Sequence, residues 1–454
     1  MKKRCAALLA ILTMAFITGT SLSAETENGS ASLLTDIVLT VNGRAASPSL
    51  TDGKILTSYT FAEGDTLEIS ASSPIHYLYL QFAKIPSPYT VSHEKGTWTA
   101  GEHGFLHEVL PIPDGADNVS LSLSGLSLCD ISAYDEGGLP DDIQQWQPPL
   151  ENCDLLVFPT HADDDTLYFG PLIALSVQQD YAVQVVFLTH HWREPERPHE
   201  LLDGLWEMGV TAYPVISDFP DKYSRSLEHA STLYNTDKVL GFQVEQLRRF
   251  KPKVVAGHDL KGEYGHGVHM LNAHLLMDAI EKCADPAAFP ESAQKWGIHQ
   301  PQKTYLHNYP QNQILLDVDE SLSRFGGRTA FQVAERAFAK HLSQQKWNFA
   351  LVTSGVEDCR PFGLIQSTVG EDTGNDPFEN VVFPRPTETS QPTQIAASTT
   401  ASIPIIPIIP SVSSPIDNKS GSSSSWLFIT IISGVLLLTV MAILLSLHFR
   451  RRQR

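Results

Sequence analysis

The sequence predicts an α/β domain with a mostly parallel sheet, preceded by an all-β, sandwich-like domain and followed by a transmembrane helix. Three observations carry that expectation. After about residue 150, short continuous apolar runs alternate with helical patterns. Before it, short alternating runs are separated by turn pairs. Near the end, Leu427 to Leu447 carries no charge. The chain has 454 residues, of which 42% are apolar and 18% charged, enough to bury a real core. Its 32 basic and 51 acidic residues leave a formal charge of −19, which argues against a nucleic-acid partner, since phosphate contacts need clustered Lys and Arg.

Lys2, Lys3 and Arg4 precede an apolar run from Ala6 to Ile17 and the small residues Ser21 to Ala24. That layout predicts a signal peptide over 1–24. Residues 25–149 are expected to be β-rich: Thr66-Leu67-Glu68-Ile69, His76 to Leu80 and Val119 to Ser124 alternate in the strand period. Asn42-Gly43, Asp52-Gly53 and Asp114-Gly115 are candidate turns. Residues 150–383 form the predicted α/β domain. Its strands are expected at Leu155–Phe158, Val183–Leu188, Val215-Ile216, Val254–Ala256 and Phe349–Val352, and its helices at 172–177, 200–208, 238–250, 268–280 and 330–342.

Residues 384–425, rich in Ser, Thr and Pro, predict a semi-rigid stalk. The span at 426–448 is long enough to cross about 30 Å of hydrocarbon. The basic tail at 449–454 orients it with the bulk of the chain outside. Beyond Cys5, the cysteines are Cys129, Cys153, Cys283 and Cys359. An even number permits disulfides in three connectivities, and four buried thiols are equally compatible.

The chemistry-bearing motifs sit at strand ends, where open α/β sheets bind ligands. The first is His161-Ala162-Asp163-Asp164-Asp165. A His and a carboxylate three residues apart can reach one metal ion while a neighbouring carboxylate stays free for proton transfer. The second is Gly262-Glu263-Tyr264-Gly265-His266-Gly267-Val268-His269, with two imidazoles one turn apart at a helix entrance. His190, His191 and His258 also follow apolar runs and are expected as polar rim residues.

On these motifs the sequence resembles the PIG-L (LmbE-like) zinc-dependent deacetylases, whose pattern opens with H-P-D-D-E and closes with G-Y-G-H-x-x-H. The likeness takes in Arg197-Pro198-His199-Glu200, the following helix, and the stretch from Phe362 to Asn380. It implies a Rossmann-like fold and Zn2+ held by His161, Asp164 and His269. It further implies Asp163 as general base, His266 as oxyanion stabiliser or acid to the leaving amine, Tyr264 near the oxyanion and Arg197 as a substrate-binding residue. Ala162, Asp165 and Val268 depart from the family pattern. With no carboxylate at 268, Asp259 or Glu263 is expected to orient His266. The implied activity is removal of acetyl from an N-acetylated amino sugar or GlcNAc-containing glycan by an exported, membrane-anchored enzyme. The alternatives are a surface glycan-binding protein with a non-catalytic domain, or an amidase of a sugar conjugate.

Overall fold

The computed structural model describes residues 29–383. The signal peptide, stalk, span and basic tail expected from the sequence lie outside the described residues. Among the described residues no helix is long and apolar enough to cross a membrane.

The β-rich part is built on two long strands, Thr66–Phe82 and His107–Ser122, antiparallel along most of their length. Register shifts between Ser70 and Tyr77 bend the pair. One half is therefore flanked by Val38–Val41 and Tyr89–His93, and the other by Ser127–Tyr134. All eight strands belong to one connected sheet, not the two separate sheets of a sandwich. Asn42 and Gly43, both at positive φ, turn the chain from Val38–Val41 into Arg44–Ala45 as a two-residue hairpin. Asp114-Gly115 differs from its expected role: the pair sits inside the His107–Ser122 strand opposite the bulge and closes no hairpin. Val119, Leu121 and Leu123 are buried while Ser122 faces solvent, as the alternation predicts.

The α/β part is a seven-stranded mixed sheet. Its order is Val215–Ile216, Val183–Phe187, Leu155–Val157, Val254–Gly257, Lys303–His307, Pro361–Ser367 and Gln313–Leu315. The first five are parallel, and the last two join antiparallel. Leu155, Val157, Val185 and Ala256 face one core; Leu156, Val186 and Val255 face the other. Each strand is thus buried on both faces, which is why the runs are continuously apolar. Strand order reverses between Leu155–Val157 and its neighbour Val254–Gly257, and the crevice beyond their carboxyl ends is the natural ligand position.

The five expected helices are Gly170–Gln178, Arg197–Glu207, Thr236–Phe250, Gly267–Lys282 and Ala330–Phe338. Gly170 lets the first and last of them touch, since a Cβ there would lie 2.6 Å from the Ala334 Cβ. Phe349–Val352 is not a strand; Val352 makes only an isolated bridge to Asp358. Three strands of this sheet were not expected from the sequence, Lys303–His307, Gln313–Leu315 and Pro361–Ser367, and in the first of them polar residues broke the apolar run. Lys303 and His307 are nevertheless fully buried, paired with Asp372 and Glu263.

The β-rich part packs directly on the Arg197–Glu207 helix and the segment after it. Phe105 stacks on Tyr213 at 4.6 Å, Gln147 and the 211–213 backbone exchange 2.8 Å hydrogen bonds, and His107 Nε2 lies 2.7 Å from His199 Nδ1. The core of the β-rich part is continuous with one face of the α/β sheet.

Candidate active site

The strand Leu155–Val157 delivers its chain into a tight loop that ends in the one-turn helix Asp164–Leu167. Asp163 caps that helix at φ 136°, ψ −27°, a conformation costing about 1–3 kcal/mol for a residue with a Cβ. Several bonds hold it there. Its N–H donates to Asp165 Oδ1 at 3.1 Å and its carbonyl accepts from Thr166 Oγ1 at 2.7 Å. Asp165, the shortened carboxylate of the motif, thus braces the loop, and burial pushes its carboxyl well above the usual range.

Three candidate ligand atoms converge. His161 Nδ1 lies 3.1 Å from Asp164 Oδ2 and 3.0 Å from His269 Nε2, and the last two are 3.2 Å apart. His269 comes from the first turn of Gly267–Lys282, after the strand across the crevice. The nitrogens of His161, His266 and His269 also lie within 4.8 Å of one another, as do the ligating atoms of Asp164, His258 and His269.

Tautomers can be assigned from the partners. His269 Nδ1 donates to Glu263 Oε2 at 2.8 Å, leaving the Nε2 lone pair toward Asp164. His161 Nε2 faces Asp221 Oδ1 at 3.3 Å, leaving the Nδ1 lone pair toward the same point. In those neutral tautomers two lone pairs and a carboxylate oxygen face each other, an arrangement that suits a cation. Burial opposes charge on both imidazoles, yet the Asp164 carboxylate raises His161 to about 9 and His269 to about 10, so without a metal the same point takes up protons that a cation would displace. Nitrogen and oxygen donors of this kind fit Zn2+.

Asp163 stays outside that triad. Burial lifts its carboxyl to about 7 against the pull of Arg197. The Arg197 Nη2 donates to Asp163 Oδ1 at 3.1 Å and also to the Ala162 carbonyl. Arg197 itself is 7% exposed.

His266 borders the triad, its ring centroid 4.8 Å from that of His161 and 4.6 Å from that of His269. Burial, then the neighbouring imidazoles, push it down to about 2, so it stands neutral. Neither carboxylate expected to orient it does so. Glu263 bonds to His258, His269 and His307, Asp259 Oδ1 accepts from the Lys261 N–H, and His266 Nδ1 has no partner among the described groups. Tyr264 adopts φ 47° beside Gly262, whose added Cβ would meet the His266 carbonyl at 2.4 Å. This turn buries Glu263 and leaves Tyr264 partly exposed, with its ring 5.6 Å from His266.

Of the expected rim residues, His190 is half-buried and stacks on Trp192. His191 is buried, and its Nε2 accepts from the Ala162 N–H at 3.3 Å. His258 is not on the rim: it is fully buried, accepting from the Thr160 N–H at Nε2 and donating to Glu263 from Nδ1. Sequence reasoning missed Asp221 and His307. Asp221 lies in a polar loop without a motif, and the only signal for His307 was a histidine at the end of an unrecognised strand.

A Rossmann-like α/β domain with a His/Asp cluster able to hold a cation at its topological switch point is the class that fold and site define. Residues 155–280 match the family model described as PIG-L, GlcNAc-PI de-N-acetylase. Over those residues the α/β part is thus similar to the PIG-L (LmbE-like) domains. The chain is 38% identical over 76 residues to a 1D-myo-inositol 2-acetamido-2-deoxy-alpha-D-glucopyranoside deacetylase 2 of Saccharopolyspora erythraea, covering 17% of this chain and 27% of that one. It is 34% identical over 92 residues to a mycothiol S-conjugate amidase of Streptomyces coelicolor, covering 19% and 31%. A deacetylase 1 of the first kind, from Catenulispora acidiphila, is 29% identical over 208 residues, covering 40% and 63%. The chain spans less than a third of the first two relatives and less than two thirds of the third.

Proposed function

We propose that this protein is a zinc-dependent deacetylase that hydrolyses the N-acetyl group of a GlcNAc-containing sugar or glycan. The observation that carries this reading is the convergence of His161 Nδ1, Asp164 Oδ2 and His269 Nε2 within 3.0–3.2 Å, beside a buried carboxylate that belongs to none of their contacts. Those three residues would hold Zn2+, which when bound polarises water and the amide carbonyl. Asp163 takes the proton of the attacking water, and its raised carboxyl suits a base that must later release that proton to the amine. Arg197 keeps Asp163 in place through the Ala162 carbonyl and the carboxylate. Neutral His266 offers an N–H to the oxygen on which negative charge develops, and Tyr264 stands beside it with a second donor.

Export, a stalk and a membrane span with the catalytic part outward are proposed from the N-terminal signal pattern, the Pro/Ser/Thr-rich stretch and the apolar run before the basic tail. An extracellular or envelope glycan is then the substrate within reach. The direct test is acetate release from N-acetylglucosamine oligosaccharides by the full-length protein with zinc.

A second reading, an amidase of a sugar conjugate, is favoured by the likeness to the Streptomyces coelicolor amidase. Cleavage of a larger acyl group with no release of acetate would select it. A non-catalytic glycan-binding role is disfavoured by the presence of all three ligand residues and Asp163 together.

A further inference from the structure

Glu263 is 1% exposed, yet its carboxylate accepts from four N–H groups. Oε2 takes His269 Nδ1 and His258 Nδ1, each at 2.8 Å; Oε1 takes His307 Nδ1 at 2.8 Å and the Asp259 backbone N–H at 3.1 Å. A carboxylate offers about four lone-pair sites, so this one is saturated. His258 must carry its hydrogen on Nδ1, because its Nε2 accepts from the Thr160 N–H at 2.9 Å. His307 differs from the other two histidines in having an acceptor at both nitrogens: Glu263 at Nδ1 and the Asp358 carbonyl, 2.6 Å away, at Nε2. Both ends of this ring are therefore held.

We propose that Glu263 is the positioning residue of His269, fixing the tautomer and ring angle that aim Nε2 at the cation point. His307 holds the other oxygen of that carboxylate from the neighbouring strand. A single carboxylate thereby ties the ends of two parallel strands, Val254–Gly257 through His258 and Lys303–His307 through His307, to the ligand-bearing helix. An isolated buried carboxylate would be strongly disfavoured; its four nitrogen partners offset that penalty. Sequence motifs alone place Glu263 beside His266, but the turn at Gly262 to Gly265 directs it past His266 to the far side of His269.

The proposal takes His269 as a metal ligand from the reading above, and its test needs no substrate. The full-length protein, stripped of metal, is titrated with zinc against a chromophoric chelator. Glu263→Gln is expected to weaken zinc binding about 10–100-fold, the usual effect of removing such a partner. That variant disturbs the bond to His307, so a folding defect is guarded against by the double variant Glu263→Gln/His307→Gln. It changes both partners together and is expected to stay folded and to bind zinc equally weakly. Zinc affinity within about twofold of the parent in either folded variant would overturn the proposal. Parent protein that binds zinc and shows these effects without deacetylating anything would refute the proposed activity and leave the positioning role standing.

Discussion

The Arg197 guanidinium lies 3.1 Å from the Asp163 carboxylate, and Arg197 opens the helix on which the β-rich part docks. The same Nη2 reaches the Ala162 carbonyl, so one planar group sets both the carboxylate and the strained loop behind it. Arg197→Lys supplies a point charge that cannot bridge both acceptors. Acetate-release kinetics are expected to show kcat/KM lower by about 10–100-fold, with the fall mainly in kcat, as misplacement of a catalytic group produces. An unchanged kcat would place Arg197 outside the positioning of Asp163.

His107 and His199 form a buried pair across the seam between the two parts, 2.7 Å apart. Gln144 Oε1 accepts from Trp146 Nε1 and lies 2.7 Å from His107 Nδ1, so His107 presents its bare Nε2 to the His199 N–H. Burial pushes the imidazoles down, His107 to about 4 and His199 to about 3. A base whose folded pKa is depressed leaves the unfolded chain binding more protons, so this contribution is full above about pH 6.5 and is lost as pH falls toward 4. At pH 5 the loss is about 2 kcal/mol per imidazole. Asp203, raised by burial, works the other way, but its side chain is partly exposed and its effect smaller. Thermal melts at pH 7.5 and 5.0 should show a drop in stability that His107→Gln reduces; an equal drop in that variant would assign the effect elsewhere.

Arg248 is fully buried, and among the described residues no carboxylate pairs with it. Its guanidinium donates to the carbonyls of Lys282, Cys283, Asp285, Ala288 and Phe289 and to Ser292 Oγ, closing the C-terminal end of the helix that carries His269. Arg248→Met leaves those acceptors buried without donors, at about 1–3 kcal/mol for each that water cannot reach. Denaturant unfolding is expected to show a loss of at least about 3 kcal/mol, and a loss below about 1 kcal/mol would mean that water replaces the guanidinium.

Cys129, Cys153, Cys283 and Cys359 are all buried free thiols. Burial raises the thiol of each, most strongly at the fully buried Cys153. These four should resist alkylation in the native protein and all react, without reductant, once it is denatured. A disulfide found by mass spectrometry among them contradicts this.

Much of this was legible in the sequence because the physics was local. The runs Leu155-Leu156-Val157 and Val254-Val255-Ala256 are apolar throughout because both faces are buried, and the motifs beyond them hold the residues that converge. What stayed hidden depends on long-range pairing. Lys303–His307 reads as polar because its charged and polar residues find partners far away in sequence, at Asp372 and Glu263. Asp221 reaches His161 from a loop with no pattern of its own. Glu263 was legible as an orienting carboxylate, but its target was not, since only the positive-φ turn at Gly262 and Tyr264 decides which imidazole it meets. Phe349–Val352 misled because four apolar residues can serve a loop over the site as well as a strand; Phe349 packs against Tyr264.

The central claim is tested most directly by measuring acetate released from N-acetylglucosamine oligosaccharides by zinc-loaded full-length protein and by its Asp163→Asn variant. The parent is expected to release acetate, and the variant to bind zinc normally while losing activity by about 10²–10⁴-fold, the contribution of a general base. Equal release by the two proteins, or none from the parent on any N-acetylated sugar, would contradict it.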